Sequence, residues 1–203
     1  MPGVTKAQAL KQLRTLAQAR ALGRHVGSDR LIQAAVDALL ADVDSPSLPL
    51  LAGLGRREEH CARELFDHVE DELGIGFEAP ADPTAAKWAL AYWLADQVVD
   101  GSLDPAVGAD LIWAEVAMDL DYPEELRPVV MCAIRLADWD ESWGTSLEQL
   151  KEEALRAARE LVERRGPETI ACHTTEPRNR LRSGTPRLTP ASTAAVSRGR
   201  DVS

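Results

Sequence analysis

With 203 residues, 45% of them hydrophobic, the chain can bury one sizeable core without a disulfide or metal staple, and it is not disordered throughout. No apolar run approaches the roughly 20 residues that a membrane span needs, and the first residues lack the apolar block of a signal peptide. The formal net charge is −10, but from Arg164 onward eight Arg face only Glu168, Glu176 and Asp201, so that stretch carries +5 and residues 1–163 carry −15.

The first element is expected between Thr5 and His25, with Leu10, Leu13, Leu16 and Ala17 on one stripe and Lys6, Lys11, Arg14, Arg20 and Arg24 elsewhere. Thr5 can cap it and Gly23 can loosen its end. Such a basic amphipathic helix either lies on anionic lipid or packs against an acidic body; without an aromatic anchor the second is expected. Ser28 precedes a helix whose face is Leu31, Ile32, Ala35, Val36, Leu39, Leu40 and Val43. A short piece over Leu48–Leu54 follows Ser45-Pro46. Arg56 to Leu73 then reads as one helix with a Cys61, Leu65, Phe66, Val69 and Leu73 stripe, ended by Gly74 and Gly76.

Asp82-Pro83 and Asp104-Pro105 are helix starts, because the carboxylate can accept from first-turn N–H groups and Pro gives up an N–H that has no helical partner. The first opens a stripe of Ala86, Leu90, Leu94 and Val98, closed by Gly101. The second opens one of Val107, Leu111, Ala114 and Met118, so the two form a hairpin or a sharp corner. Tyr122-Pro123 restarts the chain toward Val129, Val130, Cys132, Ala133 and Leu136. Thr145-Ser146-Leu147-Glu148 has the form of a capping box and opens a last helix, which Gly166-Pro167 stops. Beyond it Ser, Thr, Pro, Gly and Arg dominate. The predicted architecture is a single all-α, helical-bundle-like domain of about seven helices: a basic helix at 1–27, an acidic body at 28–166 and a disordered basic tail at 167–203.

Three groups of residues are candidate sites. His60, Glu64 and His68 stand at i, i+4 and i+8, with Glu72 extending the line, and imidazoles and a carboxylate at that spacing can share a divalent metal. Asp96, Asp100, Asp104, Asp110, Glu115, Asp119 and Asp121 can hold magnesium in the manner of helical nucleotide hydrolases. Pro105 and Leu111 rule out a calcium loop there, since they replace its required Gly and Glu. Asp138, Trp139, Asp140, Glu141 and Trp143 form an aromatic and acidic segment fit to dock a protein, because Trp contributes large contact area at low entropy cost. No phosphate-cradling Gly loop, nucleophile elbow or paired CxxC is present, so no catalytic residue and no cofactor is assigned.

So acidic a body excludes general nucleic-acid binding, which needs Lys and Arg to displace counterions. It suits a basic protein partner, toward which charge would steer encounter. Cys61, Cys132 and Cys172 are odd in number and widely spaced, as expected of a reducing cytoplasm.

Ser45-Pro46 leading into Leu51-Ala52-Gly53-Leu54, Glu64-Leu65-Phe66, Glu72-Leu73-Gly74, Val99 to Pro105 with Trp113 downstream, and Ala157 to Leu161 resemble a group of small uncharacterised actinobacterial helical proteins. The resemblance spans roughly residues 30–163 and implies a helical cytoplasmic domain without a nameable activity. The functional expectation is a non-enzymatic acidic interaction module, such as an immunity or antitoxin-like inhibitor of a basic partner. A divalent-metal enzyme and a homodimeric scaffold are the alternatives.

Overall fold

A computed structural model describes residues 4–140 and 144–165. Among them the chain is all helical: α1 (Lys6–Ala21), α2 (Ser28–Leu40), α3 (Leu48–Ala52), α4 (Ala62–Leu73), α5 (Pro83–Val99), α6 (Pro105–Ile112), α7 (Arg127–Ala137) and α8 (Leu147–Glu163). None of these helices is long and apolar enough to cross a membrane. The tail expected to be disordered at 167–203 lies outside the described residues.

Local backbone chemistry sets most of the boundaries. Asp82 accepts from Ala85 N at 2.7 Å and opens α5, and Asp104 accepts from Ala106 N at 2.9 Å and opens α6. Gly74 ends α4 at φ +60°, and Gly101 follows α5 at φ +78°, left-handed positions that a Cβ would strain. Thr5 caps α1 in a reciprocal box with Gln8. Two starts differ from expectation. α2 has Gly27 as its cap and begins at Ser28 itself. The last helix uses Ser146 with Gln149, not Thr145 with Glu148; both frames present a hydroxyl three residues before a long polar side chain, and the structure takes the later one. The helix expected from Arg56 is also shorter: Glu59–Cys61 form a separate 3₁₀ turn, and the α-helix starts only at Ala62.

Two hydrophobic cores result. The first gathers Leu13, Leu16 and Ala17 of α1, Leu31, Ala35 and Ala38 of α2, Leu48 and Leu51 of α3, and Phe66 and Val69 of α4. The basic faces of α1 are tied down as well: Arg20 reaches Asp67 at 2.6 Å and Glu70 at 2.7 Å while lying over the Phe66 ring, 5.2 Å from its centroid. The second core gathers Leu90, Leu94 and Val98 of α5, Ala109 and Ile112 of α6, Val129 and Ala133 of α7, and Ala154, Ala158 and Leu161 of α8. Trp93 packs against both.

The face of α6 is the main correction to the sequence reading. Gly108, Ala109 and Ile112 are buried, whereas Val107, Ala114 and Met118 of the expected stripe are exposed. Small residues let α6 approach α5, and the contact is centred on Gly108. The helix then widens into a π turn over Trp113–Ala117, which shifts Val116 and Ala117 inward.

Gly108→Ala tests this contact. In an open helix the change would stabilise, by about 1 kcal/mol. Here the new Cβ would stand 2.1 Å from Val98 Cγ2, a short, buried, β-branched side chain that has nowhere to swing. The variant is expected to lose roughly 1–3 kcal/mol by denaturant unfolding, and Val98→Ala in the same chain should recover part of that loss.

Candidate functional site

The expected docking segment is only partly within the described residues, since Glu141 and Trp143 lie outside them. Trp139 is half-buried, and its Nε1 donates to the Thr145 carbonyl at 2.8 Å, which fastens the α7–α8 connection. Asp138 caps the end of α7 and is exposed, as is Asp140. Within the described residues, then, the indole of Trp139 supports a loop, and the acids beside it face solvent.

The expected metal line is split. His60 sits on the 3₁₀ turn, while Glu64 and His68 sit on α4 and share a shallow groove with Cys61, Leu54 and Leu65. A turn of three residues rotates His60 away from the period that relates the other two. Glu72 is taken up elsewhere: it accepts from Ser45 Oγ, from Ser47 Oγ at 2.6 Å and from Ser47 N at 3.0 Å. Among the described residues no three His, Cys, Asp or Glu side chains are grouped so as to hold a metal ion.

The acidic set is dispersed in the same way. Asp100 pairs with Lys11 at 2.7 Å, Glu115 with Arg24 at 2.6 Å, Asp119 with Lys87 at 2.6 Å, Asp104 with Lys151 at 2.8 Å and Asp96 with Arg165 at 3.5 Å. Each of these five carboxylates has its own cation from a different part of the chain. The Lys11 pair ties α1 to the end of α5, and the Arg24 pair ties the loop after α1 to the π turn. Asp110 and Asp121 make no ion pair among the described residues, and both are exposed.

The structure also builds a cleft that single-helix spacing does not reveal. It has a volume of about 730 Å³ and runs between α1, the loop before α5, α5 itself and the end of α8. Gln18 and Leu22, Phe77 and Pro80, then Trp88, Tyr92 and Trp93 form its walls, with Asp96, Glu125 and Arg165 as polar groups. Trp88 and Tyr92 are stacked with ring centroids 5.8 Å apart. The Arg165 guanidinium carbon stands 5.4 Å from the Tyr92 centroid, a cation over an aromatic face. Burial pushes the Asp96 carboxyl above its ordinary value, against the pull of Arg165, and burial likewise raises the Tyr92 phenol. Trp93 Nε1 and Arg165 Nε are buried without an acceptor, an arrangement that costs about 1–3 kcal/mol per group. The available sequence signal was Trp88, Tyr92 and Asp96 at i, i+4 and i+8, which places them on one face of α5.

Compared with known proteins, the chain matches no family model, no curated protein and no solved structure.

The Glu72 clip gives a pH prediction. Hydrogen bonds from Ser45, then from the Ser47 side chain and backbone, hold its carboxyl below the ordinary 4.5. Its folded value being the lower one, the contribution is fully present above 4.5 and is lost as pH falls through the folded value. Glu72→Ala leaves the buried Ser45 and Ser47 without this acceptor. It should lower the thermal midpoint at neutral pH, and its gap from the parent should narrow in acid. A gap that stays constant from neutral to acid would count against the clip.

Proposed function

We propose that the chain is a non-enzymatic interaction module that docks a basic protein partner through its second half, in the manner of an immunity or antitoxin-like inhibitor. The observation that carries this reading is where the charge lies relative to exposed apolar side chains. Residues 1–77 hold nine Lys and Arg against eleven acids, nearly balanced, whereas residues 78–163 hold six against nineteen. Because Gly108 draws the small-residue face of α6 inward, Val107 is left 49% exposed and Met118 56% exposed, with Tyr122 at 52% just beyond. Asp110 and Asp121, free of ion pairs among the described residues, stand in the same stretch of chain.

Apolar side chains among unneutralised carboxylates supply the two ingredients of a steered protein interface. The carboxylates draw in a cationic surface over several ångströms, and the apolar groups give it area to bury. Asp121 and Tyr122 support the reading further, since both hold φ near +55°, with Asp121 at 56° and Tyr122 at 55°. Two consecutive non-glycine residues in the left-handed region cost free energy, and such conformations concentrate at ligand clamps and binding surfaces.

The test is purification of the tagged chain from its own cells under mild crosslinking, beside Asp110→Asn/Asp121→Asn and Met118→Ala variants. The expected result is one stoichiometric basic partner, recovered less well by both variants. With that partner purified, its association rate should fall by about tenfold or more from low to high salt. Salt-independent association, or a partner retained in full by both variants, would sink the proposal. Self-association in sedimentation, weakened by Met118→Ala, would replace it with a homodimeric scaffold.

A further inference from the structure

A second set of openings runs along the seam between the two cores, and its charge is opposite to that of the body. Gly23 turns the chain at φ +80° just after α1, and Arg24 and His25 follow it. With Arg20 of the last turn of α1 and Arg63 of α4 they line a cavity of about 310 Å³. Arg24 and His25 also line a narrower cavity of about 140 Å³, which passes Thr15, Gln97 and Ser102. Those three in turn line another, of about 380 Å³, with Lys11, Gln12 and Arg30. No Asp or Glu lines any of these cavities, although residues 1–163 carry −15.

Ion pairing does not cancel this surface. Arg20 and Arg24 hold Asp67, Glu70 and Glu115, yet none of those carboxylates is in the lining. Arg30 and Arg63 are exposed and make no ion pair among the described residues. The contact of Arg63 is with His25, its Nη2 standing 3.3 Å from the imidazole Nδ1. A guanidinium can only donate, so Nδ1 accepts, the ring in that contact is neutral, and the charge of Arg63 is left uncompensated. Polar groups along the passage are open as well. The side chains of Gln12, Thr15 and Gln97 are half-buried, none hydrogen-bonds to a described residue, and none of their polar atoms is shut off from solvent.

These groups select the ligand by exclusion. A cation meets only like charge in the first cavity, and a neutral molecule leaves Arg63 without an anion. A carboxylate has two oxygens in one plane, which one guanidinium fork engages fully. A phosphate monoester carries up to two charges and three terminal oxygens, enough for Arg63, Arg24 and His25 together. The amides and hydroxyls of the passage then suit hydroxyl groups on the body that carries the phosphate.

We propose that the seam binds a small phosphate monoester on a polyhydroxylated body, with its phosphate against Arg63, His25 and Arg24 and its hydroxyls toward Thr15 and Gln97. Such a ligand touches α1, the turn after it and α4 on one side, and α5 on the other, and so bridges the two cores.

The test titrates ribose 5-phosphate into the full chain by calorimetry, beside inorganic phosphate, ribonate and ribose. The sugar phosphate is expected to bind one to one, about threefold or more tighter than inorganic phosphate and about tenfold or more tighter than ribonate, with no heat from ribose at millimolar concentration. Arg63→Gln should weaken it about tenfold, the size of one charge-assisted hydrogen bond. Gln97→Ala should weaken it about threefold and leave inorganic phosphate unchanged. Arg159→Gln, which removes an exposed arginine of α8 far from this lining in sequence, should change nothing. Circular dichroism melts establish that each variant is folded, and the comparison of four probes on the parent chain needs no variant at all. No heat from ribose 5-phosphate at millimolar concentration would overturn the proposal, as would equal affinity for any of the other three probes. So would an Arg63→Gln chain that binds as the parent does, or an Arg159→Gln chain that loses as much, since that marks diffuse attraction. The protein partner of the acidic face is read by a different experiment, so the two readings stand or fall separately.

Discussion

The fold depends on one shared side chain. Trp93 of α5 packs against the core built by α1–α4 and also against the core built by α5–α8. Leu22, at the end of α1, joins it by packing on the second core. Around them the join is electrostatic, with Lys11 on Asp100 and Arg24 on Glu115. These pairs are exposed or half-exposed, so each contributes only modestly, typically about 0–1 kcal/mol. The Trp93 indole, with Leu22 beside it, buries apolar surface between the two cores, and the large aromatic area makes the indole the greater contributor.

A seam made by side chains leaves space beside it. Where α1 and α5 do not close on each other, the α8 end completes a cleft lined by aromatic rings. The same α5 therefore fastens the molecule and forms the cleft wall. On the far side of the second core, Gly108 fixes the rotation of α6. Because its missing Cβ admits Val98, the larger apolar residues Val107 and Met118 face outward among carboxylates. One close contact thus explains both the packing of α6 against α5 and the mixed apolar and acidic surface on which the proposed function rests.

The sequence disclosed what local chemistry controls. Asp82-Pro83, Asp104-Pro105, Gly74 and Gly101 mark ends because their backbone requirements are met within a few residues, and Thr5 caps as expected for the same reason. The face of α6 was not legible, since its rotation is set by Val98, ten residues earlier on another helix, and small residues can win a buried position only where a neighbour comes close. The choice of Ser146 over Thr145 was ambiguous in principle, as adjacent hydroxyls each had a suitable partner. The His60, Glu64 and His68 line assumed a single helix, and a 3₁₀ turn broke the period at its first member. The cleft escaped because its residues run from Gln18 to Arg165 and meet only in three dimensions. The i, i+4, i+8 spacing of Trp88, Tyr92 and Asp96 was its one local trace.

The most direct test of the seam is whether the two cores unfold together. All five tryptophans lie from Trp88 onward, so tryptophan fluorescence is weighted to the second core, with Trp93 also sensing the first, while far-ultraviolet circular dichroism follows the helices of both. If Trp93 couples the cores, denaturant curves from the two signals superimpose in a single transition with one midpoint and one slope. A circular dichroism curve that loses part of its helix at a denaturant concentration where most of the fluorescence change is still to come would contradict the account, because the first core would then be melting without the second.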